Sequence, residues 1–405
     1  MAKYNYDKKA LKGLGVGAFL GEVKTREAHI AQGSEELPNP TYNANILASK
    51  LHPGVQKAVI KEVREHDGAK TFVFASREEG GKLAYFRAGQ YISVELEIDG
   101  ARLNKPYTLC SDPKDALESG TYAITVKATP DGYGSKYILE NWAAGTEVNI
   151  SGPLGDFYYV GLRDAGNVVA LAGGSGITPF LSMARAIASG LEDFNLTVLY
   201  GSRTHDNILL KDELDEAVAA AGGKVNIVHV LSDDDAEGFE KGFINADLIR
   251  KYAPAGDYTV LVCGPKAMYR FAEAEIAGLG LPRRRVRFEL SGEYGDPTAD
   301  PAYPAGKAGQ IFTVKVLVRG EEFGTECRSE QSLIDAIEKA GIRVPSDCRS
   351  GICGWCHSRL VSGEVYVPQK ADGRRLADKK FGWIHPCASY PLSDIVIEVF
   401  PILEG

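Results

Sequence analysis

Residues 347–356 read DCRSGICGWC and place three of the chain's seven cysteines within nine positions. A fourth, Cys387, follows in WIHPCASY (383–390). Seven is an odd number, so the cysteines do not form an even disulfide framework. The best candidate for an export signal, GVGAFLG (15–21) behind Lys8, Lys9 and Lys12, is short and glycine-rich, and it runs into Glu22 instead of a small-residue cleavage site. A cytoplasmic, reducing compartment is therefore expected, where paired cysteines are rare. The crowding needs a reason other than cross-linking.

The pattern is Cys348-x4-Cys353-x2-Cys356, then thirty residues to Cys387. Structural zinc sites usually offer two separated close pairs. A tight triplet joined by one distant cysteine is the spacing of plant-type [2Fe–2S] ferredoxins. Three thiolates on one loop wrap most of a compact dinuclear cluster, while Gly351 and Gly354 let the backbone bend around it. One loop cannot encircle the cluster, so the fourth ligand comes from elsewhere. RSGICGWC resembles the cluster loop of that ferredoxin family, and the surrounding order matches it: strand-like IFTVKVLV and EEFGTECR, helical SLIDAIEKAG, the cysteine loop, then DIVIEVF. Cys110 and Cys327 read as small buried hydrophobes.

At 405 residues the chain has room for two to three domains. Its 44% apolar and 25% charged residues are ordinary for a soluble globular protein. A net charge of −8 gives no reason to expect nucleic acid or an anionic membrane as partner. No apolar run is long enough to cross a bilayer.

Upstream of the cysteines two rhythms alternate. From Val55 short apolar runs such as AVIKEV, TFVFAS, YISVELEI, YAITVKA and EVNISG alternate with the turn signals HDGA, EEGG and PDGYG, as in an antiparallel barrel or sandwich. From Gly166 strand runs (NVVALAG, LTVLYGS, KVNIVHVLS, YTVLVCGP) alternate with helical ones, the pattern of a parallel sheet covered on both faces. The expected architecture is multidomain: an extension at 1–52 of unread role, an antiparallel β-barrel at 53–160, an α/β domain at 161–290, a linker at 291–309, and an α+β ferredoxin-like (β-grasp) domain at 310–405. SGEYGDPTADPAYPAGKAG is a linker by composition, and the basic run Arg283–Arg287 reads as a solvated face.

VVALAGGSGITP sets Gly173, Gly174 and Gly176 where a strand meets a helix, a corner whose amides can face a phosphate. The dinucleotide fingerprint GxGxxG fails here because Pro179 holds its last glycine position. Together, GGSGITP, VCGP and the barrel-like PYTL, followed by a ferredoxin, resemble the ferredoxin–NADP reductase superfamily in its phthalate dioxygenase reductase and hybrid-cluster-protein reductase arrangement, over roughly 55–405.

That resemblance implies a flavin in the barrel. The family's Arg-x-Tyr-Ser/Thr motif matches Lys105-Pro106-Tyr107-Thr108, with Tyr107 packed on the isoalloxazine and Thr108 reaching its N5. Lysine for arginine keeps the charge toward a flavin phosphate but loses the bidentate fork. Gly132, Gly134 and Ser135 match the family's Gly-x-x-Ser segment and would donate to phosphate; the plain alternative is an ordinary hairpin turn. FAD is expected over FMN because this segment is closer to the FAD-binding branch, although phthalate dioxygenase reductase carries FMN on this layout. For the nicotinamide, the resemblance implies Gly173, Gly174, Gly176 and Thr178 at the pyrophosphate, Cys263, Gly264 and Pro265 near the hydride path, and Arg203 at the dinucleotide. Cys263 would shape the pocket and attack nothing. Glu289 matches an acidic position near the flavin; Ser291 stands where an aromatic is usual. Where NADP-using relatives carry a Ser-Arg pair, this chain has Ser232-Asp233-Asp234-Asp235, which would repel a 2′-phosphate and favours NADH.

The implied activity passes electrons from NADH to flavin to [2Fe–2S] and on to a separate redox protein such as an oxygenase or reductase component. The alternatives are an electron-relay subunit of a larger complex and a free flavin reductase. Steady-state turnover by the isolated chain separates the first from the second; cluster-ligand variants separate it from the third.

Overall fold

The computed structural model describes residues 24, 25, 27–29, 31, 32, 42–128, 132–289, 292 and 294–400. GVGAFLG, most of the 1–52 extension and Ser291 lie outside them. Residues 1–50 and 51–405 form two separate units. In the first, helix α1 (Asn43–Leu51) begins and has no buried residue.

The second unit opens with six antiparallel strands, β1 (Gln56–His66), β2 (Ala69–Ser76), β3 (Tyr91–Ile98), β4 (Ala101–Thr108), β5 (Tyr122–Lys127) and β6 (Glu147–Ile150), ordered β4-β3-β6-β1-β2-β5. Leu109 bridges back to Ile124, so the chain leaving β4 meets β5 and rolls the sheet into a barrel. Phe72, Phe74, Ile92, Val94 and Ile124 fill the interior with no exposed surface, as period-two alternation requires of a sheet with one wet face. Helix α2 (Pro113–Glu118) is capped by Asp112. Helix α3 (Tyr133–Asn141) starts inside the segment GYGS (132–135). That segment is thus a helix N-terminus and not a hairpin turn.

The α/β part has a six-stranded parallel sheet in the order β10-β9-β8-β7-β11-β12. Its strands are β7 (Asn167–Gly173), β8 (Asn195–Ser202), β9 (Val225–Leu231), β10 (Glu240–Lys241), β11 (Thr259–Cys263) and β12 (Val286–Phe288). Helices α4 (Thr178–Ala188), α5 (Lys211–Ala220), α6 (Ala246–Tyr252) and α7 (Lys266–Ala277) complete it. Every residue of β11 is buried, matching the unbroken apolar runs of a sheet covered on both sides. The chain steps outward from β7 to β8 and β9, then returns to β7's other edge at β11. The switch point, where open α/β sheets bind ligands, is therefore the β7/β11 end.

The last part pairs β13 (Ile311–Val318) with β14 (Glu321–Arg328) antiparallel and with β19 (Ile395–Val399) parallel. The strands β15 (Ser358–Ser362), β16 (Val365–Tyr366), β17 (Trp383–Ile384) and β18 (Tyr390–Pro391), and the helices α8 (Leu333–Lys339) and α9 (Leu376–Lys380), make the grasp around α8. Cys327 is buried, as is Cys110 in the barrel.

Two compositional readings change. The stretch after Gly292 is packed, not free: Tyr303 is buried with its hydroxyl on the Ser329 carbonyl at 3.2 Å, and Tyr390 donates to the Gly295 carbonyl at 2.9 Å. The Arg283–Arg287 run is not all solvated. Arg287 pairs with the buried Asp164 at 2.6 Å, and Arg285 reaches the Arg163 carbonyl and Asp257. Paired arginine forks let charges sit where a composition argument expects water.

Candidate functional site

A cavity of about 740 Å³ opens where barrel, α/β part and ferredoxin-like part meet. On the barrel wall β4 delivers Lys105, Pro106, Tyr107 and Thr108, with Gly132, Gly134 and Ser135 at the start of α3 beside them. Opposite lie Gly176, Thr178, Cys263 and Gly264, and Arg349 reaches in from the cysteine loop. Residues distant in sequence converge on this one cavity.

Gly132 caps α3 without a side-chain hydrogen bond, so the first-turn amides face the cavity with a partial positive charge. A Cβ at Gly134 would come within 3.1 Å of the Lys105 Cγ, so the lysine stem lies across the same helix end. Amides and ammonium together fit a flavin phosphate. The Ser135 hydroxyl is turned to the Gly132 carbonyl, 3.0 Å away. Thr108 is nearly buried, and burial pushes the Tyr107 phenol far above its usual range, keeping it neutral. A neutral aromatic wall suits a flavin ring.

At the switch point, a Cβ on Gly176 would stand 2.2 Å from the Cys263 carbonyl oxygen. Only glycine permits this approach of two backbones. A Cβ on Gly173 or Gly264 would stand 2.7 or 2.5 Å from the Met268 Sδ, a side-chain end that can give way, while Thr178 donates to the Ser175 carbonyl at 3.1 Å. Pro265 caps α7, whose first residue, Lys266, also lines the cavity. Burial, then the Glu289 charge, drives the Cys263 thiol strongly up, so it stays protonated and shapes the pocket without being a nucleophile.

Of the expected residues, Gly173, Gly174 and Pro265 are not part of the cavity wall, and Arg203 and Glu289 stand apart from it. Glu289 does not line the cavity. It sits buried behind Cys263, on a strand whose amide reaches the Val262 carbonyl, and its carboxyl is pushed up to about 8 by burial and by Asp156 and Cys348, against Arg287. Arg203 projects into solvent and pairs with Asp233 at 2.8 Å. The carboxylates expected to repel a 2′-phosphate are each engaged: Asp233 by Arg203, Asp234 by His205 at 2.7 Å, Asp235 by Lys241 at 2.7 Å.

The cysteine loop forms a cradle. Cys356 and Cys387 Sγ lie 3.3 Å apart, and the Cys348 and Cys353 thiols hydrogen-bond each other. Two sulfur pairs, one spanning the distant Cys387, suit a dinuclear cluster with two thiolates per iron. The Ser350 and Cys353 amides donate to Cys348 Sγ at 3.4 Å and the Trp355 amide to Cys353 Sγ at 3.5 Å. The shared hydrogen bond lowers the Cys348 thiol and raises that of Cys353, so the two sulfurs hold a single proton between them more readily than either gives up its own. At Gly351 φ is +81° and a Cβ would lie 2.0 Å from the Ala371 carbonyl oxygen. The donor set fits a [2Fe–2S] cluster.

Sequence reading passed over Arg349, Lys266 and Tyr91. Tyr91 pairs in register with Thr108, and after burial the charges of Cys348 and Cys353 are the next causes that hold its phenol neutral. It stands between the flavin motif and the cluster loop. The ferredoxin-like part is tied to this barrel edge by Arg343 to Glu95 at 2.8 Å and Asn104 to the Ser346 carbonyl at 2.9 Å.

Fold and site define a three-part electron-transfer oxidoreductase. Comparison with known families agrees: an oxidoreductase FAD-binding domain matches residues 57–159, an oxidoreductase NAD-binding domain 170–274, and a 2Fe-2S iron-sulfur cluster binding domain 316–392. These three matches, in this order, support a reductase of the ferredoxin–NADP reductase type with a C-terminal [2Fe–2S] ferredoxin domain. The solved phthalate dioxygenase reductase superposes with a TM-score of 0.60 at 28% identity, covering 85% of this chain and 98% of that one. The glycine betaine monooxygenase reductase subunit of Chromohalobacter salexigens is 29% identical over 84% of this chain and 94% of its own length. The ferredoxin reductase component of 3-ketosteroid-9-alpha-monooxygenase from Rhodococcus rhodochrous is 28% identical over 83% and 93%. Among the described residues no helix is long and apolar enough to cross a membrane.

Proposed function

We propose that this chain is an NADH-dependent reductase that delivers electrons, through FAD and a [2Fe–2S] cluster, to a separate protein acceptor of the oxygenase-component class. The observation that carries the reading is the shared cavity, where Tyr107 and Thr108, Cys263 and Gly264, and the cluster loop's Arg349 are neighbours. When bound, the flavin supplies the conversion of a two-electron hydride into single electrons that the cluster can carry.

The chain's own residues bind and orient. Tyr107 and Thr108 seat the ring, and the α3 amides with Lys105 hold its phosphate. Gly176 and Gly264 admit the nicotinamide close to the backbone, and protonated Cys263 closes the wall beside it. No acid–base triad is required, since hydride transfer needs proximity and orientation. The four cysteines hold the cluster. NADH is favoured over NADPH because Asp233, Asp234 and Asp235 would repel a 2′-phosphate, and Arg203 is already paired with Asp233. None of the seven cysteines is joined in a disulfide, which supports a cytoplasmic setting.

The test is Cys387→Ser in the full chain. NADH should still bleach the flavin in stopped-flow, while reduction of a protein acceptor collapses. Full transfer by that variant would overturn the reading and favour a free flavin reductase. Overlapping flavin and [2Fe–2S] absorption in the purified wild type is the first check.

A further inference from the structure

The segment after β16, from Gln369 to Phe381, has its polarity inverted. In α9 the residue turned inward is Asp378, while Leu376 is 87% exposed, and Phe381 just beyond is 65% exposed. A surface helix ordinarily buries the leucine and wets the aspartate. Asp378 is inward because it accepts from the Arg375 amide at 2.9 Å and meets His357 at 3.3 Å. His357 directly follows the ligand Cys356. At the other end the Gly373 amide donates to the Gly351 carbonyl at 3.1 Å. Both anchors are on the cysteine loop, so the segment carries its exposed side chains at that loop's rim. There Cys353 is the one exposed cysteine of the four, and Trp355 is 53% exposed.

Charge is inverted too. Between Gln369 and Lys380 there are five basic and two acidic residues, on a chain of net −8. Asp372 is shared by Arg374 and Lys379 at 2.8 Å each, Asp378 pairs with Arg375 at 3.5 Å, and Lys370 pairs with Glu273, so five cations meet three carboxylates and a surplus of positive charge remains. Arg375 is 87% exposed, and Lys380 lies over the Phe381 ring. A basic rim around an apolar centre, beside the outermost cysteine, is the makeup of a charge-steered docking patch. The chain as a whole is net negative, so an acidic partner is favoured at this face over an average one.

We propose that the 369–381 segment and the outer edge of the cysteine loop form the acceptor's docking surface, and that the acceptor presents a small apolar patch rimmed by carboxylates. This rests on the electron-transfer reading above and names the partner's chemistry. The balance is simple: one NADH becomes NAD⁺ and a proton, and its two electrons leave singly to two acceptor molecules.

The test uses the full-length holoprotein with two one-electron probes of opposite charge, the acidic haem domain of cytochrome b5 and basic cytochrome c. The wild type should reduce cytochrome b5 at a rate that falls steeply as ionic strength rises. Arg375→Glu/Lys380→Glu should lose roughly tenfold on cytochrome b5 and gain on cytochrome c, the size expected when rim charges are reversed. Leu376→Ser should slow both. Surface plasmon resonance on immobilised cytochrome b5 should move in parallel, while stopped-flow reduction of flavin and cluster by NADH stays at wild-type rate. Unchanged cytochrome rates with that internal transfer intact would overturn the proposal. So would self-association in analytical ultracentrifugation that the variants abolish without touching either cytochrome rate, which would assign the face to a second copy. Failure of NADH to reduce the cluster in the wild type would instead sink the electron-transfer reading, and this proposal with it.

Discussion

The Arg349 guanidinium, one residue after the ligand Cys348, grips both oxygens of Glu338 at 2.7 and 2.9 Å with its side chain fully buried. It also reaches Asp335 at 2.8 Å, so the cluster loop is bolted to α8 through two carboxylates one helical turn apart. The backbone there has φ of +54°, a conformation that a non-glycine residue adopts only when its surroundings enforce it.

Breaking that bolt should be costly. Arg349→Met removes the guanidinium that holds Glu338 and Asp335, a loss of about 3–5 kcal/mol. Thermal denaturation should show a lower Tm, and iron and sulfide per flavin should fall. The double variant Arg349→Met/Glu338→Leu should recover much of the Tm, because an apolar pair removes the stranded charge. Recovery of Tm without cluster content would separate the loop's geometry from its stability.

Gly351 and Gly354 both have positive φ, but their surroundings differ. Alanine at 351 would drive its Cβ to 2.0 Å from a carbonyl oxygen, whereas at 354 the nearest atom is the His385 Nε2 at 3.5 Å. Gly351→Ala should therefore abolish cluster assembly. Gly354→Ala should carry only backbone strain, on the order of 1 kcal/mol, and keep most of its [2Fe–2S] absorption.

Elements whose chemistry is local were legible in the sequence. The runs YISVELEI, NVVALAG and IFTVKVLV are β3, β7 and β13 to the residue, because alternation or continuous apolarity states which faces are covered. The four cysteines were legible by spacing. Arg349 was not, because a lone arginine in a motif reads as surface until two acids from a helix ten or more residues away bury it. Glu289, expected near the flavin, does not line the cavity, a placement set by how β12 pairs with β11. The inverted α9 was hidden for a similar reason. Its buried aspartate depends on His357, twenty-one residues away.

Glu289 gives stability a pH dependence. Its folded pKa, pushed up to about 8 from an ordinary 4.5, means the fold keeps a proton that the unfolded chain releases. The stability from this proton is fully present below about pH 4.5 and drains away as pH climbs through about 8. Glu289→Gln cannot ionise. Its Tm should exceed that of the wild type above about pH 8, by an amount reflecting on the order of a few kcal/mol, and the curves should draw together in mild acid. Parallel curves across the range would show that this carboxyl does not titrate.

The Asp233–Arg203 pair makes nicotinamide choice testable by one substitution. Both side chains are exposed, and the hydrogen bond from Arg203 is the main cause holding the Asp233 carboxyl below its ordinary value. In the wild type, kcat/KM should favour NADH. Asp233→Ser removes the carboxylate and frees the guanidinium to meet a 2′-phosphate. NADPH kcat/KM should then rise by roughly fivefold, the scale of an exposed ion contact, with NADH little changed. Because the contact is solvent-exposed, the gain should shrink as salt is added. A gain that persists at high salt would place the effect in the shape of the loop and not in its charge. A wild-type preference for NADPH would overturn the assignment of NADH as the reductant.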